Sequence, residues 1–120
     1  MEPLSDNCED NARRFIPEVI ASGCVWGLSG PEGWALCASE RSPEIDVMPF
    51  WSAETFARNH CADDWADYEP VAIDLMEYLE DWLPGMHKDI ILVGINWNAD
   101  LEGGELEPLD LLDDIDRALP

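Results

Sequence analysis

The order of apolar patterns along the chain predicts an α+β domain. One mixed, largely antiparallel sheet of about five strands would be flanked by helices as a two-layer or three-layer sandwich. Three observations carry this. Val25-Trp26-Gly27-Leu28 and Trp34-Ala35-Leu36-Cys37 are short apolar runs bounded by Gly and Pro, joined by Ser29-Gly30-Pro31-Glu32-Gly33, which reads as a β-hairpin. Ile90-Ile91-Leu92-Val93-Gly94-Ile95 is β-branched-rich and too short for a helix, so it reads as a central strand buried on both faces. Helix-period stripes lie before, between and after these runs.

Taken in order, Ser5 or Asp6 caps a first helix whose apolar positions are Cys8, Ala12, Phe15 and Val19. Pro17 lacks a backbone donor, so the helix should kink or restart there, and Gly23 suits its C-cap. Pairing the hairpin about a five-residue loop sets Trp26 opposite Leu36 and Leu28 opposite Trp34. That makes a Trp/Leu face and a small-residue face of Val25, Gly27, Ala35 and Cys37. Glu44 to Met48 alternates as a half-buried third strand, which Pro49 ends. Ser52 caps a helix over Ala53 to Cys61 with Ala53, Phe56, Ala57 and His60 along its inner face.

Ala62 to Glu69, including Asp63-Asp64, is an acidic loop carrying Trp65 and Tyr68. Pro70-Val71-Ala72-Ile73 is an edge strand. Asp74 with Glu77 marks a helix start, Leu75, Met76, Leu79 and Leu83 form its apolar stripe, and Pro84-Gly85 stops it. After the central strand, Asn96 to Glu105 reads as a long exposed loop. Pro108 opens a last helix with Leu109, Leu112, Ile115 and Leu119 inward and an acidic outer face.

Residues 1–120 suit one domain with a real core. Against 6 Lys and Arg stand 27 Asp and Glu, a formal net charge of -21. Such a charge repels nucleic acid and anionic membranes and attracts basic proteins over a Debye length of about 8 Å. The plainer reading is a device that keeps a Trp-rich domain soluble. Met1 to Asp6 is acidic and does not resemble a signal peptide, and no apolar run approaches the ~20 residues of a membrane span. Cys8, Cys24, Cys37 and Cys61 show no paired spacing, so a cytoplasmic location with reduced thiols acting as small buried hydrophobes is expected.

Gly23-Cys24-Val25-Trp26-Gly27-Leu28, Gly33-Trp34-Ala35-Leu36, Pro49-Phe50-Trp51-Ser52, Trp65 with Tyr68-Glu69-Pro70, and Trp82-Leu83-Pro84-Gly85-Met86 together resemble an uncharacterised bacterial family, domain of unknown function 2750. The resemblance runs from about Phe15 to the last helix and implies a small cytoplasmic α/β domain with no catalytic residues to carry over. A looser similarity, at the level of fold, is to the N-terminal domain of SseB-like proteins, through Phe50-Trp51-Ser52-Ala53-Glu54 and the strand ending near Asn96.

Zinc would need His60, Cys61, His87, Cys24 or Cys37, but only His60 and Cys61 are close in sequence, and adjacent residues serve one ion poorly. A thiol enzyme built on Cys61 and His60 meets the same objection, since helix neighbours point about 100° apart. No P-loop, G-x-S-x-G or dinucleotide turn is present, so no enzyme, metal or cofactor is expected. Asp100, Glu102, Glu105 and Glu107 flank Gly103-Gly104 without EF-hand spacing, which favours loose cation attraction to a solvated loop. The remaining signal is aromatic residues among acids. Trp65, Tyr68, Trp97, Asp100, Glu102, Glu105, Asp110, Asp113, Asp114 and Asp116 are the expected partner-binding residues. The expected function is a non-catalytic, acidic protein-interaction domain that masks a basic protein, such as an immunity protein or inhibitor of a nuclease-type toxin. The alternative is a regulatory domain that binds a small ligand or peptide on the Trp-lined hairpin face.

Overall fold

The structure, a computed structural model, describes residues 2–62 and 65–120. Asn7, not Ser5 or Asp6, caps α1 (Cys8–Ser22) by accepting the Asp10 N–H at 3.0 Å. The helix runs through Pro17, which is exposed, so the carbonyl that proline leaves without a donor can meet water. Gly23 closes it in the left-handed conformation at φ 78°, and its N–H returns to the Val19 carbonyl.

The hairpin strands are β1 (Cys24–Gly30) and β2 (Gly33–Trp34), joined by Pro31 and Glu32. The register pairs Ser29 with Trp34 and Gly30 with Gly33, so the predicted five-residue loop is wrong by one position. A slip of one residue exchanges the faces. Trp34 therefore lies over Gly27 on the Val25 side, where a Cβ on Gly27 would meet the indole at 3.1 Å. Its edge abuts Trp82 with centroids 4.7 Å apart. The Trp-lined hairpin face does not form: Trp34 points into one core, Trp26 is half-buried in the other, and Leu36 is 43% exposed.

Seven short strands build two sheets rather than one. The first has the order β2-β1-β5, with β5 (Glu69–Asp74) antiparallel to β1 at an edge, where Pro70 is tolerated. The second has the order β3-β4-β6-β7, comprising β3 (Cys37–Ala38), β4 (Asp46–Phe50), β6 (Leu92–Ile95) and β7 (Gly104–Leu106). β4 and β6 are parallel and the other pairs antiparallel, which gives the mixed α+β class. Among the described residues one bridge joins the sheets, in which Trp26 and Trp51 exchange both backbone hydrogen bonds at 2.9 and 2.8 Å.

Pro49 lies inside β4, opposite Gly94, and does not end it. Alternate residues of a strand direct their backbone groups to opposite neighbours. The Phe50 carbonyl accepts from Asn96 on the β6 side, whereas Trp51 faces β1. The missing Pro49 N–H therefore falls on the Trp51 side, past the end of β3 at Cys37, where no ladder bond is lost.

Ser52 does not cap α2 (Glu54–Arg58); Ala53 holds that position without a side-chain bond, and the helix is shorter than expected. Asp74 does cap the next segment, accepting from Met76 and Glu77. That segment continues through Pro84 and Gly85, as α3 (Leu75–Glu77), a π-helical turn (Tyr78–Trp82) and α4 (Leu83–Lys88). The π turn sends the Leu83 N–H back to Tyr78, and Pro84 then stands at the start of α4, where no N–H is needed. Met76, expected in the apolar stripe, is instead 52% exposed, whereas Leu75, Leu79 and Leu83 are buried. In α5 (Pro108–Ala118), Pro108, Leu111 and Ile115 are buried and Leu109 is exposed.

Strand alternation divides the interior in two. Phe15, Val19, Val25, Phe50, Tyr78, Leu83, Val93, Leu111 and Ile115 form a core beneath α1, α4 and α5. Leu28, Val47, Trp51, Phe56, Leu92 and Trp97 form a second core on the other side, under α2 and its following loop.

Candidate binding site

The second core reaches the surface as a row of rings. Trp51 is fully buried, and its indole Nε1 donates to the Trp97 carbonyl at 3.1 Å. The His60 ring stacks on Trp51 at 4.8 Å with planes 28° apart, and Trp65 meets His60 edge-on at 6.5 Å. Tyr68 tilts against Trp65 at 6.2 Å and lies over Gly30, which has no room for a Cβ. Burial pushes the His60 imidazole below its ordinary value, against a weaker opposing pull from the Trp97 backbone.

Beside this row lies an open cavity of about 350 Å³, walled by Leu36, Cys37, His60, Trp65, Ala99 and Leu101 among others. Its far lip is the turn from Asn98 to Glu102. Buried Asn98 accepts the Asp100 and Glu102 N–H groups on Oδ1 at 2.9 and 3.1 Å, and its carbonyl accepts the Leu101 N–H at 3.0 Å. This clamp holds Leu101 at φ 59°, a left-handed conformation that bulky side chains rarely adopt, with its side chain 38% exposed at the cavity mouth.

The predicted partner-binding residues separate into three surface groups and two buried residues. Trp65 and Tyr68 are half-buried at the aromatic corner, and Asp100 and Glu102 are exposed on the Asn98 turn. Asp110, Asp113, Asp114 and Asp116 are exposed along α5, a helix that packs on α4 and α1. Trp97 and Glu105 do not belong to any exposed set. Asn96, Trp97 and Asn98 are buried, so the loop expected to be exposed from Asn96 onward dives inside first. Trp97 is 4% exposed, its ring fills the space left by Gly94 and Gly103, and its Nε1 donates to the Gly104 carbonyl at 3.0 Å. Glu105 is a buried residue of β7, where its carboxylate accepts from Ser39 Oγ at 2.5 Å and the Glu40 N–H at 3.0 Å. That turns Glu105 away from the other acids of the loop. Asp63 and Asp64 lie outside the described residues.

The four cysteines are free and half-buried, and burial raises the Cys37 and Cys61 thiols above their ordinary value. Among the described residues, no three His, Cys, Asp or Glu side chains converge in a way that could hold a metal ion.

A polar cluster at the C-terminal ends of the parallel strands is invisible to motif reading. Asn96, at φ 46° directly after β6, accepts the Ser52 N–H on Oδ1 at 2.9 Å and donates from Nδ2 to the Asn11 carbonyl at 3.0 Å. Ser52 Oγ donates to Glu18 at 2.5 Å, and the other Glu18 oxygen accepts from Arg14 at 2.7 Å. Arg14 also donates to the Pro3 and Glu2 carbonyls at 3.1 and 2.6 Å. Strand ends of this kind are where open parallel sheets hold ligands. Here the chain fills the place with its own side chains, which latch α1 to β4 and β6.

Five of the six basic residues are drawn into carboxylate pairs: Arg13 with Glu9, Arg14 with Glu18, Arg41 with Glu105, Arg58 with Glu54 and Arg117 with Asp113. Exposed pairs stabilise little, about 0–1 kcal/mol each. Their larger effect is to cancel positive field locally. Among the described residues, Lys88 is the one basic side chain outside such a pair.

No curated protein and no solved structure matches this chain. The model of a family described as "Protein of unknown function (DUF2750)" matches residues 12–115, a span from the first turns of α1 into α5 that includes every strand. The chain belongs to the DUF2750 family.

Proposed function

We propose that this chain is a non-catalytic, acidic protein-interaction domain that binds and masks a basic protein, in the concrete form of an immunity protein or inhibitor of a nuclease-type toxin in a bacterial cytoplasm. The observation that carries the reading is the disposition of charge. The net charge is -21, and five of the six Lys and Arg are drawn into carboxylate pairs. The outer face of α5 keeps Asp110, Asp114 and Asp116 exposed outside any ion pair. Asp116 occupies the last turn of α5, where the helix dipole disfavours an anion. A charge needed only for solubility would be less costly elsewhere.

On this reading the acids set the rate of encounter and half-exposed Trp65 and Tyr68 supply apolar anchorage, while nucleic acid and anionic lipid are repelled. The test is capture of partners from the native host on the tagged chain at low and high salt. A variant with Asp110, Asp113, Asp114 and Asp116 all changed to Asn runs beside it. A single basic protein, released by salt and bound at least about tenfold more weakly by the variant, is the expected result. Unchanged affinity and unchanged salt dependence in the variant would remove α5 as the binding face.

A further inference from the structure

The cavity beside the aromatic corner has three properties that a chance dent in the surface does not combine. Its volume, about 350 Å³, falls in the range of about 300–1,000 Å³ typical of small-molecule sites. Two of the molecule's few exposed large apolar side chains, Leu36 and Leu101, both stand at its wall, and the second is kept there at φ 59° by the Asn98 clamp. Strain of this kind persists only where surrounding bonds over-determine it, and it gathers at binding sites. The inner wall is rigid, because His60 is stacked on buried Trp51, which is itself hydrogen-bonded to Trp97.

The chemistry of the walls narrows the ligand. Trp65 brings an aromatic ring and Leu36, Ala99 and Leu101 bring aliphatic groups to the wall, with His60, Asn59 and Cys37 beside them, which suits a flat, largely apolar body with a polar end. No Lys or Arg is among the described lining residues, and the molecule's negative field depletes anions and concentrates cations near its surface. Burial biases the His60 ring toward its neutral form, which opposes a cation less, and an indole ring attracts an ammonium group.

We infer that this cavity, walled by Leu36, His60, Trp65 and Leu101, binds a small organic cation with a flat apolar body, of the arylalkyl ammonium class. The site is separate from the α5 face and stands or falls without it.

Titration of the full chain with tryptamine, followed by amide and indole NMR signals at physiological salt, tests the inference. Indole-3-acetate serves as the anionic control and ethylammonium as the cation without a ring. Saturable shifts confined to Leu36, His60, Trp65 and Leu101 are expected for tryptamine, with each control at least about tenfold weaker. Trp65→Ala should weaken tryptamine by about tenfold or more. Leu101→Asn is the second variant. Asn accepts the left-handed backbone, so the thermal midpoint should hold or rise while binding falls, which separates loss of the rim from loss of the fold. Saturation at the same positions should persist in the fourfold α5 variant. Shifts spread over α5, equal binding of indole-3-acetate, or full affinity in Leu101→Asn and Trp65→Ala would each overturn the proposal.

Discussion

Tyr78 is fully buried in the first core, and its hydroxyl has no hydrogen-bond partner among the described residues. Its ring meets Phe50 edge-on at 5.0 Å, so the hydrocarbon part is well used and the oxygen is a liability. Tyr78→Phe should leave stability unchanged or raise it by about 1 kcal/mol, read from the urea midpoint. Burial also governs His60, whose proton affinity in the fold is below that of an exposed imidazole. The unfolded chain then takes the proton first as pH falls. The His60 contribution to stability is complete above about pH 6.5 and is lost as pH drops from there toward the lowered folded value. Unfolding curves between pH 7.5 and 5.5 should therefore lose less stability in His60→Gln than in the parent. Cys37, with its thiol raised by burial, should react with iodoacetamide more slowly at pH 8 than an exposed cysteine peptide, measured by mass.

Among the elements, β6 and the loop that follows it hold the most consequence. Trp97 folds back over Gly94, where a Cβ would come within 2.6 Å of the indole, so Gly94→Ala should cost about 1–3 kcal/mol by denaturant melt. Asn96→Ala would strip the buried Ser52 N–H of its partner and remove the second bond to the Asn11 carbonyl, and should cost about 2 kcal/mol or more. These positions also show where sequence reading stops. The Ile90 run announces a buried strand because β-branched residues are visible in one dimension, yet Ile90 itself stands outside at 74% exposure with φ 57°. The burial of Trp97, Asn98 and Glu105 depends on Ser39, Trp51 and two glycines remote in sequence or meaningful only in space, so a polar, Gly-rich stretch looks like a solvated loop. Prolines mislead for a related reason. Pro17 reads as a kink or restart and Pro49 and Pro84 as stops, whereas Pro17 is exposed in an unbroken helix, the missing Pro49 N–H falls past the end of β3, and Pro84 stands at the start of α4, where no N–H is needed. The exposure of the α5 acids and the place of Trp65 and Tyr68 at the surface are legible from composition and helical period. The cavity is not, because Leu36, His60 and Leu101 meet only through tertiary packing.

For the molecule as a whole, charge and compactness coexist by spacing. Its radius of gyration is 13.1 Å, at or slightly below the value of about 14 Å expected for a folded chain of this length. A surface of 6788 Å² shared among 21 net charges allots about 320 Å² to each, a mean separation of about 18 Å. That is roughly twice the Debye length of about 8 Å at physiological salt, so self-repulsion there is largely screened and grows as salt is removed. The thermal midpoint should rise between about 10 and 150 mM NaCl and then level off, as followed by circular dichroism. A flat response would mean that acid–acid repulsion is already offset locally. The seam between the sheets bears on how such a body comes apart. Among the described residues Trp26 and Trp51 are the one reciprocal backbone pair between the two sheets, and that stitch is walled in by the stacked His60 ring and the Trp97 carbonyl. The backbone deuterium clocks of Trp26 and Trp51 should consequently run at the same pace as those of the β1–β5 ladder, and two separate paces would reveal a protein that opens like a book along its spine.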